Sequence, residues 1–368
     1  VWHLYRFELQ IQLTGRNRAV DRFESKANWL SLLIHSNRKK LENKIHTPGS
    51  KPMLQTAIIL SMIAICVVCG GLFINSHPIQ QRAVAADSGM VYTRPVELPA
   101  EADFAGEKLP LENFDTRESL DRELLVNANF HSQTLLYLKK APRYFSIIEP
   151  ILKENGIPDD FKYLAVAESG FNERIVSPAG AVGLWQFMKS TAIENSLEVT
   201  TEVDERYHIE KSTVAACKYL KKSYARYGSW TMVAASYNAG VSGVSRQAGR
   251  QDSNSYYDLL LNDETARYVF RIVALKLIMQ APEQYGFKVA NEEKYPILKY
   301  ENVELKGSVE NFTDYAHKLG INYKILKYFN PWLRQSYLKN PAGKTYVIKV
   351  PEKGLRQFAW ENKATPDF

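Results

Sequence analysis

From Arg117 to Phe287 apolar residues recur at helical spacing with few interruptions, and this constrains the fold of the 368-residue chain more than any other feature. Residues 120–126, 132–155, 159–168, 183–195, 210–227, 230–239 and 264–279 each read as a helix, separated by Gly, Pro and Asn. Pro158, Asp159 and Asp160 make a good helix start, because proline lacks the N–H that a first turn leaves unpaired and acids favour the dipole. Strand patterns are scarce here, so residues 117–290 are expected to form one mainly α domain. Beyond Phe287 the texture changes. Residues 300–305 and 345–350 read as short strands around helices at 309–319 and 323–329, a small α+β strand–helix–helix–strand module over 300–351.

The amino-terminal part differs in kind. Residues 1–52 carry ten Lys/Arg and four Asp/Glu, so they hold six of the chain's seven net positive charges. The remainder is nearly neutral, which argues against a nucleic-acid partner. Residues 1–52 read either as a cytoplasmic tail or as upstream sequence foreign to the protein. From Leu54 to Ile74 the chain is almost continuously apolar, and roughly 20 such residues cross a bilayer. With the basic flank before it, this segment (53–75 in outline) is expected to be a membrane helix with its amino terminus in the cytoplasm. Retention as an anchor and removal after export both fit, since Ala83-Val84-Ala85 resembles a cleavage site. Residues 76–116, with Pro78, Pro95, Pro99 and Pro110, read as linker. Cys66 and Cys69 fall inside the apolar run and Cys217 stands alone, so neither a disulfide framework nor a metal site is expected.

Chemistry concentrates in four blocks. The first is Tyr163-Leu-Ala-Val-Ala-Glu-Ser-Gly-Phe171, a helix expected to stop at Gly170. Phe161, Leu164, Ala165 and Glu168 fall at i, i+3, i+4 and i+7, which puts a carboxylate on the apolar face. Desolvation and the carbonyl end of the helix both raise its pKa, as a general acid near neutral pH requires. A structural Glu paired with a base such as Arg174 fits this stretch equally well. The second block, Ser177-Pro-Ala-Gly-Ala-Val-Gly-Leu-Trp-Gln-Phe187, has two glycines suited to close backbone approach, then Trp185 and Gln186 at an expected helix start. An aromatic face beside an amide can hold a sugar ring, though Trp185 fits core packing as well. The third, Ala235-Ser-Tyr-Asn-Ala-Gly240, ends a helix with a phenol and an amide at a Gly turn. The fourth, Asp263-Glu-Thr-Ala-Arg-Tyr-Val269, opens a helix with acids, where Glu264 reads as a helix-start residue.

In order and type these blocks resemble the family 1 lytic transglycosylases, the membrane-bound D subgroup in particular, over roughly residues 143–287. That family pairs Glu-Ser with Gly-Leu-Met/Trp-Gln, Tyr-Asn-Ala/Ser-Gly and Glu-Thr-x-x-Tyr-Val. Ser236 stands where Ala is usual, and Trp185 where many members have Met. The resemblance implies a lysozyme-like α-helical catalytic domain that cuts the β-1,4 bond from N-acetylmuramic acid to N-acetylglucosamine in peptidoglycan. It implies a 1,6-anhydro product, no cofactor and no metal, and a place in the periplasm or cell envelope. Glu168 matches the single catalytic acid/base, and Ser169 the residue shaping the helix end. Gln186, Tyr237, Asn238 and Tyr268 match positions lining the substrate cleft, and Trp185 and Ser169 are expected substrate contacts with them. Residues from Tyr300 to Pro351 resemble a degenerate LysM glycan-binding module, with Lys306-Gly-Ser-Val309 in place of its usual Gly-Asp-Thr-Leu turn.

A single carboxylate suits this chemistry, because attack by the sugar's own C6 hydroxyl needs neither a second carboxylate nor a positioned water. Two other readings stay open on sequence. A muramidase or chitinase would need a second carboxylate, for which Glu173, Glu194 and Asp204 are near in sequence. A non-catalytic wall-binding protein would have no use for a carboxyl on an apolar helix face.

Overall fold

A computed structural model describes residues 95–358. The apolar segment from Leu54 to Ile74, the basic residues 1–52, Cys66 and Cys69 lie outside the described residues. Among the described residues no helix is long and apolar enough to cross a membrane.

Residues 101–113, expected to be linker, are instead part of the helical domain. β1 (Asp103–Phe104) and β2 (Glu107–Lys108) pair antiparallel, and Phe104 and Leu109 are fully buried. Ala105 and Gly106 make the turn with φ of 56° and 80°, the double positive φ that a two-residue hairpin favours. Strands of two residues are too short for any periodicity to register in sequence.

Helices then follow in close succession: α1 (Phe114–Asn129), α2 (His131–Glu154), α3 (Phe161–Ser169), α4 (Lys189–Glu194), α5 (Ile209–Tyr227), α6 (Trp230–Ala239), α7 (Val241–Gln251) and α8 (Asp263–Gln280). The centre of the domain is α8, which packs against α1, α3 and α6. Its apolar residues are buried on more than one face, Val269, Ile272, Val273, Ala274 and Ile278 all being without exposure or nearly so, as expected of a helix surrounded by others. Lys276 is buried with them and is compensated by Asp160 at 2.8 Å and Asp103 at 3.1 Å, since a buried ammonium needs paired anions.

Two helix expectations are corrected. The stretch 183–195 is helical only from Lys189. Before that, Val182 and Phe187 exchange backbone bonds of 3.1 Å across a tight turn, with Gly183 at φ 83° and Gln186 at φ 48°. Trp185 and Gln186 thus sit in a turn and not at a helix start. Conversely α7 was not expected. Gly243 and Gly249 weaken its propensity, and only Val244 and Ala248 are buried, one helical turn apart.

The C-terminal module has the expected order: β3 (Tyr300–Lys306), α9 (Phe312–Lys318), α10 (Tyr323–Phe329) and β4 (Thr345–Pro351). β3 and β4 pair antiparallel with Val303 opposite Ile348 and Leu305 opposite Tyr346. Asn311 and Asn322 cap the two helices by accepting from Thr313 N and Ile325 N. The core of the module does not close on itself. Leu305, Phe312, Leu326 and Ile348 pack in one cluster with Val182, Val203 and Tyr207 of the helical domain.

Candidate active site

α3 ends where its sequence requires. Gly170 takes φ 58°, and a Cβ there would lie 2.8 Å from the Tyr137 ring of α2, so both conformation and space demand glycine. Lys140 reaches the freed carbonyls of Gly170 and Phe171 at 3.3 and 3.4 Å. Phe171 is buried against Tyr144, stacked at 4.9 Å, which anchors the chain just past the helix end.

Two residues before that stop, Glu168 points its half-buried carboxyl at α8. The Tyr268 hydroxyl donates to Glu168 Oε1. Burial pushes the Glu168 carboxyl up to about 7, against the opposing pull of the Tyr268 hydrogen bond and the Arg271 guanidinium, while Glu264 adds to the rise. Arg174, the base considered for a structural Glu168, is elsewhere: its guanidinium donates to Lys327 O at 2.9 Å and lies over the Tyr328 ring. Burial, and then the charge of Glu168, also hold the Tyr237 and Tyr268 hydroxyls well above their ordinary pKa. Both phenols therefore stay protonated donors at neutral pH.

The remaining sequence candidates divide in two. Gln186, Tyr237 and Asn238 each keep part of their surface open. Gln186 donates its amide to Gly183 O at 2.8 Å and Ile175 O at 3.4 Å, which fixes the side chain and leaves its amide oxygen as an acceptor. Tyr237 donates to Trp185 O at 2.7 Å, and Asn238 Oδ1 accepts from Thr265 at 2.8 Å. Three expected substrate contacts are not brought to the surface, one of them Tyr268, which is 2% exposed with its hydroxyl turned to Glu168. Trp185 has no exposed surface and donates its indole N–H to Thr213 at 2.9 Å, so its ring is a core element and not a sugar platform. Ser169 is buried and donates back to Ala165 O at 2.9 Å, which shapes the helix end and takes its hydroxyl out of reach of a ligand.

A charged cluster behind Glu168 was missed in sequence. Glu123 on α1 is 1% exposed and accepts from Arg267 at 2.7 Å and Arg122 at 2.6 Å. Arg271 lies 3.6 Å from Glu123 and donates to Glu264 at 2.8 Å. The signal was present: Glu123 shares the buried face of α1 with Leu120 and Leu124, and Arg267 and Arg271 repeat at i, i+4 on α8. The carboxylate whose charge reaches Glu168 is thus Glu264, not any of the three considered from sequence. Asp204 is occupied by Arg206 at 2.7 Å and Glu173 by the Tyr144 hydroxyl. Hydrogen bonding to Arg271 holds the Glu264 carboxyl below its usual range, so it stays ionised and paired. Among the described residues no group of three His, Cys, Asp or Glu side chains could hold a metal ion, and Cys217 is a buried free thiol.

Comparisons with known proteins bear on this geometry. Residues 145–260 match the family model of the Transglycosylase SLT domain, and residues 301–354 that of the Soluble lytic transglycosylase C-terminal LysM-like domain. The chain is 29% identical over 262 residues to Membrane-bound lytic murein transglycosylase D of Escherichia coli strain K12 and to its counterpart in an Escherichia coli O6:H1 strain. Each alignment covers 69% of this chain and 56% of the relative, so the chain spans little more than half the length of the curated relatives it matches. Among solved structures, the 70 kDa soluble lytic transglycosylase of Escherichia coli aligns with 23% identity and a TM-score of 0.34, covering 38% of this chain and 24% of its own. An inactive mutant of Lytic Transglycosylase Slt from Pseudomonas aeruginosa aligns with 22% identity and a TM-score of 0.33, over 41% and 26% of the two chains. What the chain is similar to is thus a transglycosylase SLT domain over residues 145–260 and a LysM-like domain over residues 301–354.

Proposed function

We propose that the protein is a peptidoglycan lytic transglycosylase with a lysozyme-like catalytic domain and Glu168 as its single acid/base. The observation that carries this reading is the Glu168 carboxyl, lifted to about 7 by burial and met by the Tyr268 hydroxyl. Protonated Glu168 would donate to the glycosidic oxygen between N-acetylmuramic acid and N-acetylglucosamine as that bond breaks. Positive charge developing on the sugar would be shared by its 2-acetamido group and by the Tyr237 and Tyr268 oxygens. Glu168, now a carboxylate, would take the proton of the C6 hydroxyl as that oxygen closes a 1,6-anhydro ring. Acid–base assistance of this kind supplies about 10²–10⁴-fold, and preorganised donors around the site supply more. Gln186 and Asn238 would hold polar groups of the glycan in the cleft, and the LysM-like domain would add a second contact to glycan strands.

The basic-then-apolar amino-terminal sequence and the membrane-bound description of the Escherichia coli relative support a site of action at the bacterial cell envelope, with the segment from Leu54 to Ile74 as anchor. Digestion of purified peptidoglycan with product mass analysis tests the reading. Anhydro ends, lighter by one water than reducing ends, are expected from the native chain. Glu168→Gln should abolish them with the circular dichroism spectrum unchanged. Reducing ends alone would show hydrolysis and overturn the proposal.

A further inference from the structure

The C-terminal module and the turn that carries Gln186 are joined by a short relay of named contacts. On the module side, the loop after α10 docks on residues 199–204. Val203 and Leu333 form an antiparallel bridge, Asp204 N donates to Trp332 O at 2.9 Å, and Arg334 N donates to Glu202 O at 2.8 Å. Glu202 also accepts from Lys339 N at 2.7 Å, and the Arg334 guanidinium lies 3.9 Å from the centroid of the Tyr207 ring.

On the cleft side, the Asp204 carboxylate grips Arg206 with two bonds of 2.9 and 2.7 Å. Both side chains are about nine-tenths buried. Arg206 Nη1 then donates to Gly180 O, two residues before the Gln186 turn, and to Phe187 O at its end, each at 3.2 Å. The Arg206 carbonyl fills the space beside Gly183, where a Cβ would come within 2.1 Å. The same turn presents Trp185 O to the Tyr237 hydroxyl, and Val182 at its foot belongs to the module's core.

We infer that the C-terminal module is a strut for the turn from Val182 to Phe187, acting through Asp204 and Arg206 as positioning residues. This rests on the transglycosylase reading only for its effect on rate. Gln186 holds φ 48°, and a non-glycine residue in that region persists only where its surroundings over-determine it. Within the turn, Val182 and Phe187 exchange two backbone bonds, and Gln186 reaches Gly183 O through both its backbone N–H and its side-chain amide. Arg206 adds the tie that links the turn to Asp204, and a buried guanidinium is held in place only while its carboxylate is. Asp204 in turn is fixed by the module through its own backbone and that of Val203. A module that only tethered the enzyme to glycan would have no such path into the cleft.

Two full-length variants test the strut by amide hydrogen exchange, with kcat and KM on soluble glycan oligomers and pull-down on insoluble wall measured beside it. Glu202→Ala with Arg334→Ala removes side-chain contacts from the seam and touches no cleft residue. Exchange at Val182 and Phe187 should accelerate roughly tenfold or more while α6 and α8 stay protected, kcat should fall severalfold, and pull-down should be unchanged. Arg206→Lys keeps a positive charge beside Asp204, but one ammonium cannot hold the carboxylate and both carbonyls, which Nε, Nη2 and Nη1 divide between them. It should open the same turn with the seam amides of Asp204 and Arg334 still protected. Turn amides that stay protected in Arg206→Lys, or that stay protected when the double variant has opened the seam, overturn the strut. So does a raised KM with unchanged kcat. Should the native chain release no anhydro product, the transglycosylase reading fails while the exchange data still decide the strut.

Discussion

Glu168 lies between a phenol that donates to it and a guanidinium that attracts it, and its pH behaviour follows from both. As general acid it must be protonated, so kcat/KM should fall as pH rises through about 7. Arg271→Met removes a cation that lowers the Glu168 pKa and frees the Glu264 charge that raises it, so the falling limb should move to higher pH in a rate–pH profile. Tyr268→Phe removes a hydrogen bond to a charged group, worth about 1.5–3 kcal/mol, and kcat should drop roughly ten- to a hundredfold. Folding stability gives an independent check. A carboxyl whose folded pKa is raised from 4.5 to about 7 gives a contribution that is fully present below the unfolded value and lost as pH rises through the folded one. Glu168→Gln should therefore stabilise the fold by about 3 kcal/mol near pH 8 and by almost nothing near pH 4, read by urea denaturation. The spacing of Phe161, Leu164, Ala165 and Glu168 placed this carboxyl correctly because a single helix carries it. Trp185 was ambiguous because the same side chain suits a sugar face and a core, and only the Thr213 hydroxyl packed beside it makes it core.

At the scale of elements, helix periodicity was legible where a helix presents a broad apolar face to the centre, and silent for α7, which buries only Val244 and Ala248, and where the backbone works by exception. The β1–β2 hairpin shows this. Glu107 accepts from Trp230 N, Thr231 N and the Ser229 hydroxyl, so a residue over a hundred positions away caps α6, the helix that ends with Tyr237 and Asn238. Glu107→Ala should cost about 1–2 kcal/mol, measurable as a lower denaturation midpoint. The turn before α4 is a second case. Gly183→Ala would place a Cβ 2.1 Å from the Arg206 carbonyl at φ 83°, which cannot be relieved by a side-chain rotation. It should destabilise by about 3 kcal/mol or more, and activity should fall with it because Gln186 rides on the same turn.

For the whole molecule, the shared cluster of Val182, Val203 and Tyr207 with Leu305, Phe312 and Ile348 makes one cooperative body of two sequence modules. Thermal unfolding of residues 95–358 should show a single transition, with loss of helical dichroism coincident with exposure of Trp332. A second, earlier transition confined to the module would contradict a common core. Charge at this scale was readable from composition, since six of the seven net positive charges fall in residues 1–52. The sequence by itself determined most of the helices (though not α7 or the start of α4), the strand order of the C-terminal module and the carboxylate on the apolar face of α3, because each depends on spacing within one element. Tertiary structure alone decided that Tyr268 and Arg271, not Arg174, face Glu168, that Trp185 is core, and that the C-terminal module holds the Gln186 turn. Those outcomes depend on which elements meet, and contacts between residues a hundred positions apart leave no period in the chain.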